Sequence, residues 1–149
     1  MTDLANLIAP APSPAAAAFL ARAPHGLLIG GEWVAANETF ETLDPATGKL
    51  LALVTKGDAA AVDKAVAAAR AALETGPWPA MTPMDRARLL WKIADHLEAH
   101  IDELAELETL DQGKPLYVGR WAEIPGAIAQ FRFFGGLANQ IEGSTIPTS

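Results

Sequence analysis

The stretch TPMDRARLLWKIADHLEAHIDELAELETLDQGKP, from Thr82 to Pro115, constrains this chain more than any other. Thr82 is suited to cap a helix and Pro83 to take its first position. Asp85 completes a variant of the capping box in which aspartate replaces the usual glutamate. Leu90, Ile93, Ala94, Leu97, Ile101 and Leu104 recur at helical spacing, so one face needs cover. The pattern runs for about 30 residues, longer than most globular helices. That predicts a break near His100–Asp102 and two consecutive helices. Gly113 stops the second, and Pro115 forbids an immediate restart.

The flanking segments supply other elements. Residues 1–26 are rich in Ala and Pro and read as a flexible N-terminal arm, within which residues 15–22 could form a short helix. LLIGGEWVA (27–35) reads as two short strands about Gly30-Gly31, with Trp33 as the large residue to bury. A glycine pair cradles phosphate only where a helix follows, and here a strand follows. FETLDPATGKLLALVT (40–55) reads as strand, turn, strand, opened by Asp44-Pro45 and closed by Gly48. Asp58 is a good N-cap for the helix AAAVDKAVAAARAAL, which places Val62, Ala65, Val66, Ala69 and Leu73 on one face. GPWP (76–79) ends it. A last helix is expected from roughly Val118 to Ile141. Its apolar face is Trp121, Ile124, Ile128, Phe131, Leu137 and Ile141, with Phe134 beside it. Pro125 should sit in the first turns of that helix or kink it.

Composition removes several classes of function. The chain is 50% hydrophobic and 19% charged, as ordered globular proteins are. A net charge of −7 without a Lys/Arg cluster argues against a nucleic-acid partner. With no cysteine among the 149 residues, disulfides, thiolate metal sites and cysteine nucleophiles are excluded from them. No apolar run is long enough to span a bilayer. The N-terminus lacks a basic region and is interrupted by Pro10, Pro12 and Pro14, so a cytoplasmic location is expected.

Few residues invite a chemical reading. His96 and His100 have the i, i+4 spacing of a metal chelate, but no third ligand is apparent, and both read as polar boundary residues. Glu108 falls between Leu104, Ile101 and Ala105 on the helical wheel, inside the apolar stripe. A carboxylate there must be paired, since an isolated buried charge is very costly. It reads as a structural carboxylate, with a catalytic acid or base as the alternative. Asp102, Glu103 and Glu106 look like a solvated face. There is no Gly-x-Gly-x-x-Gly or Walker pattern and no Ser/His/Asp arrangement with local context. Motifs alone point to no catalytic and no cofactor-binding residue.

Taken in order, LLIGGEWV, LDPATGKLLALV, DAAAVDKAVAAARAAL, GPW, MDRARLLWKIADHLEAHIDELAELETLDQGKP and FRFFGGLANQIEGSTIP resemble the N-terminal part of the aldehyde dehydrogenase superfamily. The resemblance runs from about Leu27 to Ser149. LETLDQGKP and the closing FRFFGG to STIP segment are its most specific pieces. The part after Gly113 is similar to members acting on aromatic aldehydes such as phenylacetaldehyde. The resemblance implies an α/β fold: the N-terminal part of an aldehyde dehydrogenase-like cofactor-binding domain. Short N-terminal strands would be followed by about four helices, with the main parallel sheet missing. Residues 27–149 would then be an incomplete segment of that domain.

For a complete enzyme, a homo-oligomer, the resemblance implies a cysteine thiolate that attacks an aldehyde and a hydride that passes to NAD or NADP. A glutamate-activated water then hydrolyses the thioester. This sequence departs from the pattern. It stops just before the family's proline–tryptophan–asparagine motif and lacks the glycine motif, the glutamate and the cysteine. The expectation is an N-terminal fragment, inactive alone, binding no cofactor well, whose partners are the missing C-terminal part or full-length subunits. The alternative is a non-catalytic interaction module associating with full-length family subunits. One site is implied by the resemblance. A structural monovalent cation would take backbone oxygen from Thr42 or Leu43 and the carboxylate of Asp111, its remaining ligand lying beyond Ser149. The competing reading of Asp111 is a helix-end residue bonded to nearby backbone. Leaving the last helix's face bare would forfeit on the order of 10 kcal/mol, comparable with a whole domain's stability. The chain alone is therefore expected to be marginal, to associate, or to need its other part.

Overall fold

In the computed structural model, residues 12–148 are described, so the first part of the expected arm, residues 1–11, lies outside the described residues. Two hairpins come early in the chain. Strands β1 (Leu27–Ile29) and β2 (Glu32–Val34) pair antiparallel with Leu28 opposite Trp33. Their turn uses Gly30 at φ 63° and Gly31 at φ 89°, the left-handed pair a two-residue hairpin requires. Trp33 does not bury as expected. It is 73% exposed, because strands of three residues bring nothing across that face.

Strands β3 (Thr39–Leu43) and β4 (Leu50–Thr55) form the second hairpin, with a register shift between Thr42 and Leu43. Asp44 builds the turn. One carboxylate oxygen accepts from the Ala46 N–H (2.8 Å) and the other from the Thr47 hydroxyl (2.7 Å). His25 adds a single parallel bridge to β4. Its N–H donates to the Leu53 carbonyl, and its own carbonyl accepts from Thr55 N–H, both at 2.9 Å. Among the described residues both sheets are two-stranded and antiparallel.

Five longer helices among the described residues complete the architecture. Helix α1 (Pro14–Leu20) lies within the segment read as an arm. Ser13 caps it, and the Ser13 N–H donates to Glu106 (2.6 Å), tying it to a later helix. Helix α2 (Ala59–Glu74) starts where the Asp58 carboxylate accepts from Ala61 N–H at 2.8 Å. Its Val62, Val66 and Leu73 are each more than half exposed. A single turn, Pro77–Ala80, follows.

Helix α3 (Pro83–Ala99) and helix α4 (Ile101–Gln112) meet at His100, whose φ of −124° breaks the run where the length of the pattern predicts it. At the start of α3, the Thr82 hydroxyl accepts from Asp85 N–H (3.2 Å) and donates to the Asp85 carboxylate (2.7 Å). The last helix differs from expectation. After a turn at Leu116–Val118 comes a π-helical segment, Gly119–Glu123, then helix α5 (Ile124–Leu137). Pro125 has no N–H to continue the i→i−4 ladder, and just before it Ile124 N–H reaches back five residues to Gly119. The helix also stops four residues short of Ile141, after the weak helix formers Gly135 and Gly136.

The core runs between α3 and α5. Trp91 Nε1 donates to the Arg132 carbonyl (3.2 Å), and a Cβ on Gly135 would lie 2.5 Å from that nitrogen. The two helices can approach this closely only because Gly135 has no side chain. Among the described residues the buried apolar side chains are Ala16, Ala52, Ala87, Ala94, Ala105 and Ile128. Of the face expected on the last helix, Ile128 is buried, whereas Trp121, Phe134 and Ile141 are exposed, Ile141 at 83%.

Candidate functional site

The C-terminal end of α4 is where separate parts of the chain converge. Gly113 caps α4 at φ 74°, a left-handed conformation that only glycine adopts freely. A Cβ at Gly113 would lie 2.9 Å from Pro45 Cγ, so the β3–β4 turn is seated directly on the helix end. That contact carries Thr42 to Asp111. The Thr42 hydroxyl donates to Asp111 Oδ1 at 2.9 Å across 69 residues of sequence.

Two of the three residues expected to hold a cation are therefore joined. Leu43 lies at the register shift of β3, where a bulge takes backbone groups out of the regular ladder. α4 has no basic residue in its last turn, and among the described residues Asp111 makes no ion pair. Carbonyl and carboxylate oxygens are the donor types a hard cation takes, and those at the end of α4 sit at the helix's negative end. They do not fit a dinucleotide. Gly30-Gly31 is a hairpin turn followed by a strand, and no glycine-rich loop opens any of the long helices.

One turn back from Asp111, Glu108 is paired, as its place in the apolar stripe requires. Its side chain is 19% exposed, and Lys114 Nζ donates to its Oε1 at 3.0 Å. The same ammonium also donates to Glu123. Hydrogen bonds to Glu123 and then Glu108 raise the Lys114 pKa above the usual lysine range. Lys114, and then the neighbouring Glu108, hold the Glu123 carboxyl below the usual carboxylate range. The second oxygen of Glu108 is buried without a hydrogen-bond partner and faces Gly119, where a Cβ would come within 3.3 Å of it. This triad ties the end of α4 to the π segment, which is a structural role.

The other candidates separate. His96 and His100 are exposed with ring centroids 4.5 Å apart, and His100 Nδ1 engages the His96 carbonyl at 2.8 Å. Among the described residues no group of three His, Cys, Asp or Glu is placed to hold a metal. Asp102 pairs with Arg120 (2.7 Å), and Glu106 receives the Ser13 N–H, so the acidic face of α4 is only partly free. A groove of about 780 Å³ beside it is lined by Ser13, His100, Glu103, Glu106, Arg120 and Trp121 among others, but the Ser13 hydroxyl caps α1 by accepting from Ala16 N–H (3.3 Å) and His100 Nδ1 engages the His96 carbonyl, so no hydrogen bond joins a nucleophile to a base there. Sequence reasoning misses Lys114 and Glu123 as the partners of Glu108. The available signal is the lysine placed directly after the αL glycine. It also misses the Thr42 side chain, because the resemblance points to that residue's backbone.

Comparison with known proteins gives this geometry a setting. The model of the Aldehyde dehydrogenase family matches residues 33–149. The mitochondrial aldehyde dehydrogenase family 2 member B4 of Arabidopsis thaliana is 49% identical over 123 residues, covering 81% of this chain and 23% of that protein. A phenylacetaldehyde dehydrogenase of Pseudomonas fluorescens is 43% identical over 130 residues, covering 86% of this chain and 26% of that protein. Among solved structures, the NAD complex of an aldehyde dehydrogenase from Bacillus cereus superposes with a TM-score of 0.88 at 42% identity, over 93% of this chain and 28% of that one. The chain spans about a quarter of the length of the relatives it matches. No helix among the described residues is long and apolar enough to cross a membrane. From the match across residues 33–149 and the shared fold, the chain belongs to the aldehyde dehydrogenase family.

Proposed function

We propose that these residues form the N-terminal portion of the cofactor-binding domain of a cytoplasmic, homo-oligomeric NAD(P)-dependent aldehyde dehydrogenase. Such an enzyme oxidises an aldehyde to a carboxylic acid, and the aldehyde class favoured here is aromatic, of the phenylacetaldehyde type. The observation that supports the reading is the agreement of 93% of this chain with 28% of an aldehyde dehydrogenase solved as its NAD complex. The sequence supplies no thiolate, so polypeptide other than these residues must provide nucleophile, general base and dinucleotide cradle. Its own contribution is scaffold. A backbone oxygen of Thr42 or Leu43 with the Asp111 carboxylate would supply part of the cage for a monovalent cation, a structural charge and not a participant in hydride transfer.

The test is turnover. NAD and NADP reduction would be measured with phenylacetaldehyde and with acetaldehyde, for the 149-residue chain and for the product of the coding sequence read past Ser149. The expected outcome is no turnover by the former and turnover by the latter, with higher kcat/KM for phenylacetaldehyde. Reduction of NAD by the 149-residue chain alone would overturn the proposal, as would downstream sequence without a cysteine and a glycine motif. Equal or better kcat/KM for acetaldehyde would remove the aromatic preference only.

A further inference from the structure

We infer that His96 and His100 form a two-imidazole chelate for a divalent transition-metal ion of the nickel or copper class, at the joint between α3 and α4. The inference stands on these side chains alone and is independent of the enzymatic reading above.

His96 lies in the last turn of α3 and His100 ends that helix, so their side chains share one face. Both are exposed, and their ring centres are 4.5 Å apart with the planes inclined by 46°. Two imidazoles bound side by side to one metal at about 2.0–2.1 Å, roughly at right angles, place their ring centres about 4.5–5 Å apart. The pair already stands at that separation. The tautomer of His100 is fixed as well. Its backbone N–H turns to the Leu97 carbonyl (3.1 Å), and its ring Nδ1 takes the vacated place at the His96 carbonyl (2.8 Å). A carbonyl can only accept, so in the neutral ring Nδ1 carries the proton and Nε2 the free lone pair. A ring N–H held by a carbonyl is the usual support of a metal-bound histidine.

The donor set selects the kind of ion. Imidazole nitrogen suits nickel, copper and zinc and is a poor ligand for magnesium or calcium. Among the described residues no third histidine or carboxylate completes a cage, so water must fill the other positions. That fits an open nickel or copper site better than a closed structural zinc site. Of the nearby carboxylates, Asp95 and Glu98 are engaged by Arg132. A bound ion would tie the last turn of α3 to the residue where the helical run breaks, stiffening the joint.

The test is nickel binding by the full polypeptide, followed by equilibrium dialysis and by melting temperature. Wild type, His96→Gln, His100→Asn and the double variant are compared. Asparagine in place of His100 keeps an N–H donor for the His96 carbonyl, so the helix end is preserved while the ligand is removed. Wild type should hold one more nickel ion than the double variant and gain more melting temperature from nickel. Because the second metal bond of a chelate is intramolecular, loss of either histidine should weaken that ion about tenfold or more. Magnesium should not distinguish wild type from the double variant. If either single variant binds nickel as wild type does, or if all four proteins hold the same number of ions, there is no chelate. If magnesium separates wild type from the double variant as far as nickel does, imidazole ligation is not the cause and the inference fails.

Discussion

Lys114 carries more of the local architecture than its place in a turn suggests. Among the described residues it is the one cation paired with both Glu108, which is mostly covered, and Glu123 at the end of the π segment. Lys114→Met should lower the urea midpoint more than Glu123→Gln, because it leaves two carboxylates facing one another unpaired. Chemical denaturation monitored by tryptophan fluorescence checks the order. The pH dependence follows from the directions of shift. The Glu123 pKa is depressed below its ordinary 4.5, so its contribution is present above that value and lost as pH falls through the lower folded value. Lys114 is raised above 10.5, so its contribution is present below that value and lost as pH climbs past the raised one. The Lys114–Glu123 pair therefore acts undiminished around neutrality. Glu123→Gln should flatten the acid limb of a stability–pH curve without abolishing it. Asp44, depressed by the Thr47 hydroxyl and the Ala46 N–H, and Asp85, depressed by the Thr82 hydroxyl, titrate there too. Gly113→Ala should cost about 1–2 kcal/mol from its left-handed backbone alone, and more because its methyl would meet Pro45 at 2.9 Å.

Between elements, α3 against α5 is the packing that matters, and it rests on small residues. Gly135→Ala would press a methyl toward the Trp91 indole, and overpacking of this kind costs about 1–3 kcal/mol. Ile128→Ala, in the same interface, should cost about 2–5 kcal/mol by leaving a cavity. Val62→Ser on α2 should stay within about 0.5 kcal/mol in the 149-residue chain, because Val62 is more than half exposed there. Thermal unfolding of the three variants ranks them. These elements were largely legible in advance. Asp58, Thr82 and Gly113 act through hydrogen bonds or dihedrals within a few residues, so the sequence near each states its effect. The π segment was not legible. A proline near a helix start is compatible with a plain α-helical opening, and choosing five-residue spacing depends on Gly119 packing against Ala105 of α4. Trp33 was misread for a related reason: alternation says which face of a strand is apolar, but not whether anything comes to cover it.

For the whole molecule, legibility was divided along the same line. The joining of Thr42 to Asp111 spans 69 residues, and no local pattern contains it. Family resemblance drew attention to both residues, yet it was the seating of Pro45 on Gly113 that showed why the hydroxyl reaches the carboxylate. Exposed Trp33, Val62, Val66, Leu73, Trp121, Phe133 and Phe134 leave this chain with large uncovered apolar surface. The 149-residue chain alone should bind a hydrophobic dye and elute in light scattering above the mass of a monomer. A monomer peak without dye binding would contradict this. Among the described residues the buried apolar side chains are unusual in being almost all alanine: Ala16, Ala52, Ala87, Ala94 and Ala105, with Ile128 the larger exception. Most proteins tolerate growth at the surface and suffer from truncation within. Here the damaging direction at the five alanine sites is reversed, since alanine offers almost nothing to remove and enlargement overpacks its neighbours. Saturation mutagenesis should accept glycine and serine at these five positions far more often than valine or leucine, giving a tolerance profile set by volume and scarcely by hydrophobicity.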